Sequence, residues 1–300
     1  MFSDREQIAL HRLIATFLAF LSVLTTADWL RAGEYTYAMG EYMGVLLADT
    51  ATTPRGEALD LSGYETVFFD DFNSDTLNTE AWAYRADGAR RAGFNSKNQV
   101  RVENDNLYIK AEYLNSDNPN ARYGEGWYAG MIRTVNEYKY GYFEIRCICS
   151  KGGGFWSAFW LNSSGMASKE LSQGGVGGAE LDIFEAFNYD KKLKYNSVSL
   201  NIHVDGYQET RSQRLGSYKA NNIYEEYNTY GLMWTPSEYV FYINGVECVR
   251  STFADGVSQA DEYAIISLEL PSIFTKLPGF ETEFIIDYVK IMQNPNYSTE

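Results

Sequence analysis

Glu180-Leu181-Asp182-Ile183-Phe184-Glu185 sets three carboxylates inside an otherwise apolar run, Ala179 to Phe187. Such a run predicts a β-strand, in which side chains alternate between two faces. Glu180 and Asp182 then share a face, and strict alternation sends Glu185 to the other. One extra residue, a β-bulge near Ile183–Phe184, returns Glu185 to the first two acids, and bulges concentrate beside active sites. Like charges on one strand face repel. That repulsion can hold one carboxyl protonated while a neighbour stays ionised, so a single strand offers both an acid and a base or nucleophile. The plainer alternative is a solvated acidic face, the common fate of Asp and Glu. The apolar residues between the acids favour the first reading.

The neighbouring segments sort by the same alternation. In Ser197 to His203, the residues Val198, Leu200 and Ile202 take the core face, while Ser199, Asn201 and His203 share the other. This is the next strand after the acidic one, which puts His203 beside the acids. In Phe155 to Leu161, the residues Phe155, Phe159 and Leu161 fill the core. Trp156 and Trp160 fall together on the opposite face, where two indoles can form a platform for a sugar ring. The polar stretch Gly93 to Arg101 carries Asn95, Asn98 and Arg101, which the pattern allows to cross the rim of a cleft.

From Tyr64 onward the chain reads as about a dozen short strands separated by turns, the signature of an all-β sandwich. Asn244-Gly245 between two apolar runs predicts a type I′ hairpin. Residues 61–300 form the main domain in this reading. Residues 1–60 differ in composition. Leu13 to Ala27 is uncharged and suits the apolar core of a signal peptide or an anchor, and Tyr35 to Ala48 is a second apolar patch. A helical hairpin is the alternative for this segment, and Thr50 to Gly63 reads as the linker. Membrane association runs only through this N-terminal segment, and the expected location is secreted or cell-surface.

The net charge of −15 excludes nucleic-acid backbones and anionic membranes as partners. It also argues against highly sulfated polysaccharides, although one local basic cluster overrides that argument. Only two histidines occur, His11 and His203, which excludes a His-based zinc site. Cys147, Cys149 and Cys248 read as free thiols, with a disulfide from Cys248 to one of the others as the alternative.

These segments together resemble glycoside hydrolase family 16. The bulged Glu-x-Asp-x-x-Glu signature carries the resemblance. Tyr140-Gly141-Tyr142-Phe143-Glu144-Ile145-Arg146, the Gly154 to Leu161 segment, Trp234-Thr235-Pro236 and Ile286-Asp287-Tyr288-Val289-Lys290-Ile291 extend it from about Tyr64 to Gln293. The resemblance implies a jelly-roll β-sandwich of two curved antiparallel sheets and a retaining, endo-acting double displacement. Glu180 would be the nucleophile, Glu185 the general acid/base, and Asp182 the hydrogen-bonding partner of the nucleophile. A retaining pair stands about 5–5.5 Å apart. His203 matches a family histidine, and Asp287 matches an acid that helps to hold a structural calcium in many members. No cofactor is required for the chemistry. The implied partner of a monomeric enzyme is a β-linked polysaccharide, first a β-1,3- or mixed-linked glucan. A galactan of the agarose or carrageenan type is the alternative, because Ser267-Leu268-Glu269-Leu270-Pro271 and Tyr227-Asn228 depart from the laminarinase pattern. A non-catalytic glycan-binding sandwich and a transglycosylase are the rivals from other classes.

Overall fold

Among the described residues, apolar–polar alternation between Glu65 and Gln293 produces eighteen strands, numbered here in chain order, in two stacked sheets. The computed structural model describes residues 50–165, 177–206, 209–253, 256–272 and 277–297. The chain divides into two compact units, Met1–Thr50 and Ala51–Glu300. The apolar segments Leu13 to Ala27 and Tyr35 to Ala48 lie outside the described residues.

The seven-stranded sheet runs β13 (Glu209–Lys219), β12 (Ser197–Gly206), β11 (Glu180–Glu185), β10 (Trp156–Asn162), β17 (Tyr263–Glu269), β8 (Met131–Thr134) and β2 (Trp82–Tyr84). The eleven-stranded sheet runs β16 (Val246–Ser251), β15 (Tyr239–Ile243), β14 (Asn228–Trp234), β9 (Gly141–Ile148), β18 (Glu281–Gln293), β6 (Asn106–Leu114), β7 (Gly126–Ala129), β4 (Gly93–Asn95) and β3 (Gly88–Arg90). Off that path, β1 (Glu65–Asp70) pairs with β18 and β5 (Val100–Glu103) with β6. The β4–β7 pair is parallel and the other paired strands are antiparallel. Asn244 and Gly245 both take positive φ, 49° and 71°, between β15 and β16, as a type I′ turn requires.

One hydrophobic core lies between the sheets. It gathers Leu181, Ile183 and Phe184 from β11, Phe159 and Leu161 from β10, and Tyr230, Phe143 and Phe284 from the facing sheet. Phe184 stacks on Tyr230 with ring centroids 4.2 Å apart and meets Phe284 edge-on. A second, smaller apolar cluster, Met131, Ala158, Trp160, Tyr263 and Ile265, covers the outer face of the seven-stranded sheet. That outer face carries the cleft.

The expected linker is not a free tether along its length. Thr52 hydrogen-bonds the backbones of Ser217 and Lys219, Gly56 bonds Glu247, and Leu59 bonds Gly245. The segment from Ala51 is thus pinned along β13 and the β15–β16 hairpin, and the compact unit begins at Ala51 rather than near residue 61.

Candidate active site

β11 would bury Glu185 if it were regular. On the β10 side Trp160 pairs with Asp182 and Phe159 with Phe184, so two steps on β11 face one on β10. On the β12 side Asp182 pairs with Asn201 and Glu185 with Ser199, three steps against two. The extra residue leaves both Ile183 and Phe184 in the core, at 1% and 0% exposure. Glu185 therefore returns to the outer face, where it lines a cleft of about 350 Å³ with Glu180 and Asp182. Burying two consecutive large side chains anchors the bulge, each contributing about 1.5–3 kcal/mol by removal from water.

Each acid has defined partners. The Asn201 side-chain amide donates to Glu185 Oε2 at 2.7 Å, and the Trp156 indole N–H donates to Oε1 at 3.1 Å. Asn162 donates to Glu180 Oε2 at 3.2 Å. His203 Nε2 lies 3.2 Å from Asp182 Oδ2, and its Nδ1 lies 2.6 Å from Ser212 Oγ. Burial, then the charges of Asp182 and Glu180, push the Glu185 carboxyl up to about 8, against the donated bond from Asn201. Burial also raises Asp182, although the bond from His203 opposes it. The same bond raises His203, which favours an imidazolium donating to Asp182. A carboxyl near 8 is mostly protonated at neutral pH and can give its proton to a leaving oxygen.

Glu180, Asp182 and His203 each offer a ligand atom within 4.8 Å of the others. Both ring nitrogens of His203 are already engaged, so the three read as one hydrogen-bonded set rather than a metal site. The calcium expected at Asp287 does not fit the residues present. The Asp287 carboxylate is bound by the Arg146 guanidinium at 2.5 Å, and Arg146 lies 4.4 Å over the Tyr227 ring. A cation occupying that carboxylate would have to displace a fixed one.

The predicted cleft residues divide. Trp156 and Trp160 line the cleft, but each carries an arginine over its ring, Arg91 at 4.4 Å and Arg85 at 5.0 Å. Trp160 is only 7% exposed and its N–H donates to Ser267, so Trp156 is the more open of the two. Asn95 and Asn98 are not brought to the cleft. Asn95 is 1% exposed in the β3–β4 hairpin, and Asn98 reaches Asn120 at 3.4 Å. Parallel pairing of β4 with β7 turns that segment into the sandwich, and the hairpin's own tip, Arg90 and Arg91, reaches the cleft instead. The three cysteines are free, with Cys147 and Cys149 buried.

Sequence reading missed Asn162, Arg85, Arg90, Arg91 and Glu269, all of which line the cleft. Asn162 lay one alternation step beyond Trp160. Arg85, Arg90 and Arg91 form a local run of cations in an acidic chain, a visible signal. Asn201 was placed on the correct face without a role; its amide binds Glu185.

Comparison with known proteins places this geometry. A family model described as the glycoside hydrolase 16 domain of beta-porphyranases A–D matches residues 65–269. An endo-1,3-1,4-beta-glycanase, EglC, of Rhizobium meliloti (strain 1021) is 27% identical over 262 residues, covering 78% of this chain and 52% of that protein. A keratan-sulfate endo-1,4-beta-galactosidase of Sphingobacterium multivorum is 23% identical over 189 residues, covering 60% of this chain and 42% of that protein. The chain covers between 30% and 63% of the length of the curated relatives it matches. Among solved structures, SCLam, a non-specific endo-beta-1,3(4)-glucanase of family GH16, superposes with TM-score 0.63 at 22% identity, covering 82% of this chain and 97% of that one. That likeness is one of fold, and it agrees with the jelly-roll expectation. With the model match spanning the cleft and both sheets, the chain belongs to glycoside hydrolase family 16.

Proposed function

We propose that this chain is an endo-acting hydrolase of a β-linked polysaccharide that works by a retaining double displacement. The observation that carries the reading is the double register slip of β11, which turns Glu185 to the cleft beside Glu180 and Asp182. Glu185, protonated at neutral pH, donates to the leaving glycosidic oxygen while Glu180 attacks the anomeric carbon. Glu185 then takes a proton from water as the glycosyl–Glu180 ester is opened. Asp182, held by His203, adds the negative charge that keeps Glu185 protonated. The amides of Asn162 and Asn201 fix the two outer carboxylates in the cleft.

Among substrates, a β-1,3- or mixed-linked glucan is supported by the glucanase names of the relatives. A galactan is the second reading, supported by the family model matched here and by the keratan-sulfate galactosidase. Reducing-end release from laminarin, lichenan, agarose and keratan sulfate separates the two. Glu180→Gln and Glu185→Gln should each lower turnover on the preferred glycan by roughly 10²–10⁴-fold with the circular dichroism unchanged. Proton NMR of the first product should show retention at the anomeric carbon. Inverted product, or near-native turnover in either variant, rejects the assignment.

A further inference from the structure

Three neighbouring strands, β11, β12 and the edge strand β13, bring Asp182, His203 and Ser212 side by side on the cleft face. The register that does so is irregular. Ser199 pairs with Ser217 and Leu200 with Gly216, but Asn201 pairs with Arg214, which leaves Leu215 over on β13. A regular ladder would set Gln213 opposite His203; the bulge sets Ser212 there instead. Gly216, beside the extra residue, takes φ +123°, a conformation that L side chains rarely adopt. Gln213 then pairs with the buried Ile202 and accepts from the Ser251 hydroxyl of β16 at 2.6 Å.

The three side chains form one chain of contacts. Ser212 Oγ lies 2.6 Å from His203 Nδ1, and His203 Nε2 lies 3.2 Å from Asp182 Oδ2. Exposure falls along it: Ser212 is exposed, the His203 side chain is 31% exposed, and Asp182 is 5% exposed. The bond to Asp182 raises the His203 ring, and the charges of Asp182, Glu180 and Glu185 add to it against partial burial. Among the described side chains, these three acids face the ring from β11. The cleft face of β13 adds Ser212 and, two residues along, Arg214 opposite Asn201. Arg211 is placed over the Phe253 ring, at 5.4 Å.

An imidazolium donates through Nε2 to Asp182 and through Nδ1 to Ser212. A neutral ring keeps its Nε2–H for Asp182 and accepts the Ser212 hydroxyl at Nδ1. A hydroxyl is both donor and acceptor, so it serves both charge states of the ring by turning its proton alone. The order of contacts is that of a serine nucleophile triad. An alkoxide on Ser212 would form next to a ring flanked by Glu180 and Asp182, whose charges oppose it, so the hydroxyl serves the ring instead.

We propose that Ser212 is a positioning residue of the cleft, which holds the His203 ring against Asp182 in both charge states and acts through Asp182 on the two carboxyls that cleave the glycan. The role rests on the glycanase reading of Glu180 and Glu185, but the ring tests it without turnover. Only His11 and His203 occur, so nitrogen NMR of the full chain labelled at histidine shows two rings, and His11→Gln assigns them. Ser212→Val removes the second acceptor of the imidazolium and should lower the pH at which His203 loses its proton by about 0.5 unit or more. Ser212→Thr keeps the hydroxyl on the same β-branched frame and should titrate like the parent. Both residues favour strands, so both variants should melt like the parent. On the preferred glycan Ser212→Val should lower kcat about three- to tenfold with KM unchanged, and Ser212→Thr should restore it. On top of Asp182→Asn, Ser212→Val should cost less than about twofold, because the residue through which it acts is gone. A His203 titration that Ser212→Val leaves in place, equal behaviour of the Val and Thr variants, or an undiminished loss on top of Asp182→Asn overturns the proposal. An unmoved titration in a chain that cleaves glycan rejects the role of Ser212 and leaves the hydrolase reading standing. A titration shifted by Val and restored by Thr, in a chain that cleaves no glycan, upholds the anchoring of the ring and rejects the hydrolase reading.

Discussion

Asp182→Asn tests the electrostatic coupling on which the acid role of Glu185 depends. Asp182 and Glu185 share the cleft face, separated along β11 by the two core-facing residues of the bulge. Two strand residues span about 6.6 Å, and the bulge shortens the path of a third. A unit charge at about 7 Å with an effective dielectric of about 20 acts with roughly 2.4 kcal/mol, close to two pH units. The opposing charge of His203 roughly halves that, to about one unit. The sign follows because Asp182 acts on Glu185 more strongly than His203 does, so losing the carboxylate outweighs any loss of the imidazolium's charge. Removing the carboxylate deletes a charge that favours protonated Glu185, and an imidazolium left behind pushes the same way. Glu185, at about 8 in the parent, should therefore titrate near 7 in the variant. Since the acid must be protonated, the alkaline limb of kcat/KM moves down by about one pH unit, and a profile from pH 5 to 9 reads it. Carbon NMR of the labelled Glu185 carboxyl reads the same titration without turnover. A limb that stays in place, or moves upward, would refute the coupling.

The raised carboxyls also bear on stability. Glu185 and Glu262 sit at about 8 in the fold against 4.5 ordinarily, both chiefly through burial. The folded chain then keeps protons that the unfolded chain has released, so stability falls as pH rises from about 4.5 to 8. Glu185→Gln should raise the melting temperature at pH 8 relative to the parent and leave it unchanged at pH 4, while abolishing activity. Glu262→Gln keeps the acceptor that binds the Ala179 N–H at 2.8 Å, so it should flatten the melting-temperature profile over the same window. Gly178→Ala should destabilise by at least about 1–3 kcal/mol in urea unfolding. Gly178 takes φ +107°, and a Cβ there would stand 2.2 Å from the Ser163 Cβ.

The parts of the fold that were legible are those where alternation runs for several residues beside a buried face. β9, β14, β15, β16 and β17 each run five to eight residues, long enough for the pattern to register. β2, β3, β4 and β7 are three or four residues long and show too little alternation to register. β13 escaped for another reason. It is the edge of its sheet, and Leu215 and Tyr218 are its only large apolar or aromatic residues, too few to mark an alternating apolar face. The acidic strand was legible because charge was the anomaly in an apolar run. The arginine end was legible only as a local run of cations, because alternation along any single segment cannot bring Arg85, just beyond β2, together with the tip of the β3–β4 hairpin and the acidic strand.

That convergence puts a local cluster of cations in the cleft of a chain whose net charge is −15. Glu269 pairs across the sheet with Trp156, and its buried carboxylate draws the tip of the β3–β4 hairpin, which belongs to the other sheet, over the cleft. Arg91 thereby covers Trp156, and Trp156 donates to Glu185, so the cation cluster and the acid are joined by one chain of contacts. Removing both arginines would strand the buried Glu269 carboxylate, which costs far more than the pairing gains. The arrangement therefore holds its geometry whatever the surface elsewhere carries. Most of the described acidic residues face solvent, where ions screen them beyond about 8–10 Å. Within the cleft, a bound glycan meets a field set by the nearest few side chains, negative over β11 and positive over β17 and β8.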